Sequence, residues 1–164
     1  MMKWIGIALM MLGLTGCGVA PWQSQGPTPP SRTPFPEDVY KSLPKTGDAQ
    51  LAGVVMYVDN EGEVHYADKI EVVAAPVTSY SKEAYDALGR NAPVPPADAR
   101  AQAYTRHART DGQGFFKMLY LPAGEYFVIG QVKWRKNGIQ QHQTVRDQVA
   151  IKAHETTYVN LMNP

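Results

Sequence analysis

From residue 51 onward the chain breaks into short runs of β-branched and aromatic residues, each closed by turn formers, and this spacing predicts an all-β domain. Residues 51–58 are apolar on both faces, as in a strand covered on both sides or lying within a sandwich. Asn60-Glu61-Gly62-Glu63 predicts a hairpin turn, followed by strands over 64–67 and 69–75, the second stopped by Pro76. Strands over 104–110 and 115–120 flank Asp111-Gly112-Gln113-Gly114, whose glycines can supply positive φ. Leu121-Pro122-Ala123-Gly124 turns the chain into the longest strand, 125–134, continuously apolar over 126–129 and alternating afterwards. Asn137-Gly138 predicts a type I′ hairpin, and strands over 144–152 and 156–162 close the pattern. A single helix is predicted over 81–88, with Ser81 as its cap, inside a Pro-rich insertion between Pro76 and Tyr104.

The pattern changes before residue 50. Between Gly18 and Gly47 stand Pro21, Pro27, Pro29, Pro30, Pro34, Pro36 and Pro44, with Ser, Gln, Thr and Gly between them. Few aliphatic residues remain to build a core, so the stretch predicts an extended tether of at most ~3 Å per residue, or about 90 Å for its length. Trp22 and Phe35 stand out in it. Docking on the domain, contact with a membrane interface and chance occurrence all account for them.

At the N-terminus, Lys3 precedes an apolar run of 11 residues, 4–14. A bilayer span needs about 20, so the run predicts a signal-peptide h-region. It ends in Leu14-Thr15-Gly16-Cys17, and Cys17 is the single cysteine of the 164 residues. The motif resembles the lipobox of bacterial lipoproteins. That resemblance implies cleavage between Gly16 and Cys17, lipidation of Cys17 and a multi-chain membrane anchor, since one acyl chain alone holds only marginally. Gly18 in place of an acid after the cysteine implies the outer membrane if the cell is Gram-negative, with the periplasmic face favoured, and a Gram-positive cell would place the protein on its plasma membrane. Three segments are thereby expected: a signal peptide (1–16), a lipidated tether (17–49) and a β-sandwich (50–164).

Removing residues 1–16 takes away Lys3 and no acid, leaving 15 basic and 15 acidic side chains. A neutral domain argues against nucleic acid as a partner. The charges are unevenly spread: 37–71 holds eight acids against Lys41, Lys45 and Lys69, whereas 133–152 holds five bases against Asp147. A sheet can present these as faces of opposite sign, or they can simply coat solvated positions.

Thr110-Asp111-Gly112-Gln113-Gly114-Phe115-Phe116, followed by Leu121-Pro122-Ala123-Gly124-Glu125-Tyr126-Phe127-Val128, resembles the carboxypeptidase regulatory-like family. Gly53-Val54-Val55 and Val159-Asn160-Leu161 are similar to the first and last strands of such domains. The resemblance implies a prealbumin-like or transthyretin-like antiparallel β-sandwich of about seven strands. The physics of the motif is structural. Asp111 can accept backbone N–H groups across its own turn, Gly114 and Gly124 free the chain to reverse, and Phe115 or Phe116 with Tyr126 fill the space between sheets. The departure from the pattern is the insertion 77–103, and insertions are where such scaffolds carry binding function.

Catalytic chemistry finds no motif. His65, His107, His142 and His154 have no helical metalloprotease spacing, no nucleophile elbow or phosphate loop is present, and Glu61 and Glu63 flank a turn. No enzymatic activity, metal or cofactor is therefore expected. Tyr66, Tyr80, Tyr85, Tyr104 and Tyr120 can give an aromatic surface, with Tyr80 and Tyr85 the better contact residues because they fall in the insertion. Two functions remain in view. One is an envelope lipoprotein whose sandwich docks on another envelope protein, as an accessory of secretion or assembly; the other is a carbohydrate or small-ligand module using 77–103.

Overall fold

The computed structural model describes residues 32–163, so Gly16, Cys17 and Trp22 lie outside the described residues. In chain order the elements are α1 (Glu37–Ser42), β1 (Ala49–Val58), β2 (Val64–Tyr66), β3 (Glu71–Pro76), α2 (Ser79–Gly89), α3 (Ala99–Gln102), β4 (Arg106–Arg109), β5 (Phe115–Leu121), β6 (Gly124–Lys136), β7 (Ile139–Ile151) and β8 (Thr156–Leu161). The strands form two four-stranded sheets, one with β1 in its middle and one ordered β4-β3-β6-β7. The fold is thus the expected all-β sandwich, with a helix in the insertion. Among the described residues no helix is long and apolar enough to cross a membrane.

In the first sheet β1 pairs antiparallel with β5 over Ala49–Val54 and then with β2 over Met56–Val58. On its other edge β1 runs beside β8 in parallel, from Gln50↔Thr156 to Val55↔Leu161. This one parallel pair departs from the antiparallel expectation. It arises because β8 is reached by a crossing from β7 of the other sheet rather than by a hairpin. The residues 111–114 also carry the chain between sheets, from β4 to β5, instead of closing a hairpin within one. Asp111 Oδ1 accepts the N–H groups of Gln113 (2.8 Å) and Phe115 (3.0 Å), as the sequence leads one to expect. Gly114 sits at φ +78°, where an added Cβ would meet the Val55 carbonyl oxygen at 2.5 Å. Gly124, at φ +150°, opens β6.

Between the sheets lie Leu51, Val55, Phe116, Leu121, Val128, Val132, Val145 and Leu161, all essentially without solvent contact. Each contributes roughly 1.5–3 kcal/mol of apolar burial. Phe116 points inward while its neighbour Phe115 is 42% exposed, so strand alternation assigns the core role to Phe116. The buried Tyr126 hydroxyl donates to the Pro122 carbonyl at 3.1 Å, bracing the turn before β6. β6 and β7 form a 13-residue ribbon closed by Asn137 (φ 52°) and Gly138 (φ 79°), the predicted type I′ geometry. β7 starts at Ile139 rather than 144, because once the turn fixes register the Gln-rich 139–143 pairs fully with β6.

Helix α2 also begins earlier than its apolar pattern indicates. Thr78, not Ser81, is the cap: its Oγ1 accepts the Ser81 N–H (3.0 Å) while Ser81 Oγ accepts the Thr78 N–H (2.9 Å). A second apolar cluster lies beside it, built from Tyr40, Tyr80 and Ala101 with Phe35, Leu43 and Tyr104 packed against them. Residues 32–45, expected to be tether, therefore form a strap on the insertion, and of the fates open to Phe35 it takes docking on the domain. Arg32 lies over the Tyr80 ring (4.0 Å) and Arg100 over the Phe35 ring (4.4 Å). Arg100 also bridges Asp98 (2.9 Å) and Glu37 (2.8 Å), tying α1 to α3.

Candidate functional site

The insertion covers only one side of the sandwich. Tyr85 of α2 stacks on Phe127 of β6 at 4.1 Å, leaving Phe127 2% exposed although it points away from the core. No element covers the outer face of the β1 sheet among the described residues. Its floor is the half-buried Val54 and Met56, with Ala52, 2% exposed, covered by its neighbours; these residues of β1 alternate with inward Leu51, Gly53 and Val55.

Two walls rise from this floor. On the β5 and β2 side, Phe115 is opposite Val54 and Tyr66 opposite Met56. On the β8 side, Tyr158 is opposite Ala52 and Asn160 opposite Val54. Tyr158 is 75%, Tyr66 50% and Phe115 42% exposed. Strands spaced about 4.8 Å apart put the walls roughly 10 Å from each other across β1. The result is a shallow trough with aromatic sides, deepening to about 510 Å³ where Val54, Met56, Tyr66, Gln113 and Asn160 meet.

Asn160 also belongs to a second groove of about 740 Å³, which Leu88, Asn91, Gln143, Arg146 and Met162 help to line. The side-chain amides of Asn91 and Asn160 make no hydrogen bond within the described residues, so their donors and acceptors face solvent. Trough and groove meet at Asn160.

The residues singled out from sequence take different places. Tyr80 is 4% exposed, and its hydroxyl accepts the Asp98 N–H at 2.8 Å; it is a core residue of the strap cluster and not a contact surface. Tyr85 lines the second groove only with its edge, because Phe127 covers one face of its ring and Arg146 the other at 4.1 Å. Asp111, Gly114 and Gly124 hold turns. Gly16 and Cys17 fall outside the described residues. Tyr158 and Phe115 are exposed aromatic residues of the open face that the sequence reading left out of its candidate surface. The alternation of 156–161 carried the signal, since inward Val159 and Leu161 require Tyr158 to point out.

Asp59, Glu63 and His65 bring one ligand atom each within 4.8 Å of one another at the β1–β2 turn. Asp59 is already engaged there. Its Oδ1 accepts the N–H groups of Glu61 (2.9 Å) and Glu63 (3.0 Å), and its Oδ2 lies 3.3 Å from His65 Nε2 and 3.7 Å from Lys136 Nζ. These bonds, led by that from the Glu63 N–H, hold the Asp59 carboxyl below the usual carboxylate range. The His65 ring stacks on Trp134 (4.9 Å), which stacks on Tyr57 (4.9 Å). The cluster braces a turn and supplies its own counter-charges.

No family model matches the chain, and no curated protein matches it. Among solved structures, a candidate carbohydrate-binding protein from Pseudomonas aeruginosa is 26% identical with a TM-score of 0.70, the alignment covering 81% of this chain and 100% of that one. The minor pilin GBS52 of Streptococcus agalactiae is 16% identical with a TM-score of 0.40, over 72% of this chain and 44% of the pilin. The pilus backbone RrgB of Streptococcus pneumoniae is 15% identical with a TM-score of 0.30, over 70% of this chain and 41% of that one.

Proposed function

We propose that this chain is a non-enzymatic, lipid-anchored envelope protein whose sandwich binds carbohydrate on the open face of the β1 sheet. The observation that carries this reading is the trough: Tyr66, Phe115 and Tyr158 stand exposed around a floor of small and aliphatic side chains, with Gln113 and Asn160 at its deep end. Aromatic faces stack on the C–H faces of sugar rings, and side-chain amides pair with hydroxyls. The 26% identity to a candidate carbohydrate-binding protein, across the whole of that protein, supports the reading. The proposed surface differs from the insertion 77–103, whose tyrosines are committed to packing. The anchor rests on the resemblance of the Leu14-Thr15-Gly16-Cys17 motif to a lipobox, and Gly18 after the cysteine supports outer-membrane attachment in a Gram-negative cell.

A glycan array tests the binding. A defined set of glycans should be retained, and Tyr158→Ala or Tyr66→Ala should weaken retention about tenfold, the worth of one aromatic stacking contact. The envelope-protein reading has an observation of its own: Leu119 (44%) and Val64 (43%) extend the exposed apolar face beyond the aromatics. If the array is blank, and crosslinking in intact cells through Tyr158 recovers one stoichiometric protein, that reading replaces carbohydrate. For the anchor, Cys17→Ser should move the protein out of the membrane fraction.

A further inference from the structure

The outer face of the second sheet is covered by α2 only at the Phe127 end. Towards the Asn137-Gly138 tip it is open, and its outward positions are set by pairing: Glu71 opposite Arg109, Gln131 opposite Thr144, Lys133 opposite His142. Two adjoining hollows of about 450 and 410 Å³ lie on this half, sharing Lys69 and Glu71. Lys69, Arg109 and Lys133 line them, Arg135 is the next outward residue beyond Lys133, and all four are exposed. None of the four forms a salt bridge within the described residues. Glu71 is the one carboxylate lining the hollows, and it faces His107 at 3.0 Å. In a domain whose charges balance, this is a segregated cationic face.

We infer that this half-sheet is a second binding surface, separate from the trough, and that its occupant is an acidic polysaccharide. Unpaired cations on a flat face raise the local concentration of an anionic chain, and Gln131 and Thr144 between them supply hydrogen bonds for hydroxyls. Among the described residues the open half carries no outward Phe, Tyr or Trp on which a nucleobase could stack; its rings are the imidazoles of His107, which faces Glu71 at 3.0 Å, and His142. Its apolar residues, Val73 and Ile129, are half-buried and too recessed to insert among lipid chains. The inference does not depend on sugar binding in the trough.

The test uses the detergent-solubilised full chain with polygalacturonate, its fully methyl-esterified form, and poly-L-glutamate. Polygalacturonate should bind, with about tenfold loss on esterification and further loss as salt rises. Lys133→Glu combined with Arg109→Glu should abolish that binding while the circular dichroism spectrum is unchanged. Glu71→Gln should strengthen it, and Tyr158→Ala should leave the preference for the free acid intact. Equal binding of acid and ester, equal binding of poly-L-glutamate, loss of acid preference in Tyr158→Ala, or indifference to the charge reversals would each overturn the inference. An array-negative protein that still binds polygalacturonate through Lys133 would leave this inference standing while the trough reading fell.

Discussion

Arg146 lies 4.1 Å over the ring of Tyr85 and donates through Nη1 to the carbonyl of the same tyrosine at 3.1 Å. One side chain of β7 thus holds both the ring and the backbone of α2, and with Phe127 beneath, the tyrosine is clamped on two faces. Arg146→Ala should destabilise the domain by about 2–4 kcal/mol, the sum of a cation–π contact and a charged hydrogen bond. Arg146→Lys should recover little, since an ammonium cannot lie flat on the ring while reaching the carbonyl. Denaturation midpoints, with amide exchange over 85–89, measure both effects.

Gly114 and Gly62 separate two costs of replacing a glycine. Both have positive φ, +78° and +83°, but a Cβ on Gly62 meets nothing within 4 Å whereas one on Gly114 meets the Val55 oxygen at 2.5 Å. Gly62→Ala should cost about 1 kcal/mol from backbone conformation alone. Gly114→Ala should cost at least about 3 kcal/mol, because the clash falls on the backbone that joins β1 to β5. Urea titration of the two variants gives the comparison.

Acid should release the strap before the sandwich. Hydrogen bonds from the Arg100 side chain and N–H bring Asp98 down to about 2, and Glu37 is lowered first by its hydrogen bond from Lys41 and then by charge from Lys41 and Arg100. A lowered folded-state pKa means the stabilisation is complete above the ordinary carboxylate range and disappears as pH falls through the folded value. Tyrosine NMR signals from Tyr40 and Tyr104 should therefore shift as pH falls from about 4 to about 2 while the methyl signals of the buried Val128 and Val145 stay native-like. Asp98→Asn should loosen the strap already at neutral pH and flatten the Asp98 part of the profile.

Tyr126→Phe removes one hydroxyl and keeps the ring in the core. The Pro122 carbonyl then loses its 3.1 Å donor in a buried turn. The expected cost is about 1–2 kcal/mol, read from thermal melts, with little change in spectroscopic fold.

The strands were legible because period-two alternation and turn chemistry agree at most of them: Val145 inward and Thr144 outward, Asn137-Gly138 at the tip, Asp111 across its own turn. What misled was proximity to proline. Phe35 and Tyr40 lie in a stretch too poor in aliphatics to make a core by itself; Tyr40 is buried and Phe35 half-buried only because Tyr80 waits on a distant insertion and Tyr104 just beyond it. The same event removes Tyr80 from the surface. Sequence spacing carries no trace of it, since the partners are 40 to 64 residues apart and no periodicity links them. The trough was half-legible: Tyr66 stood among the aromatic candidates, but Tyr158 needed the direction of β8, and β8 lies parallel to β1 through a crossing that no hairpin signal marks.

That parallel pair sets how the domain bears load. β1 enters the sandwich at Ala49 and β8 leaves it at Leu161, with six residue pairs between Gln50↔Thr156 and Val55↔Leu161 joined side by side. Tension applied between the two ends pulls the strands lengthwise past one another, so every bond of the ladder is loaded at once instead of opening one after another. Stretched by its two ends, the domain would resist being drawn apart along the direction of β1 and β8.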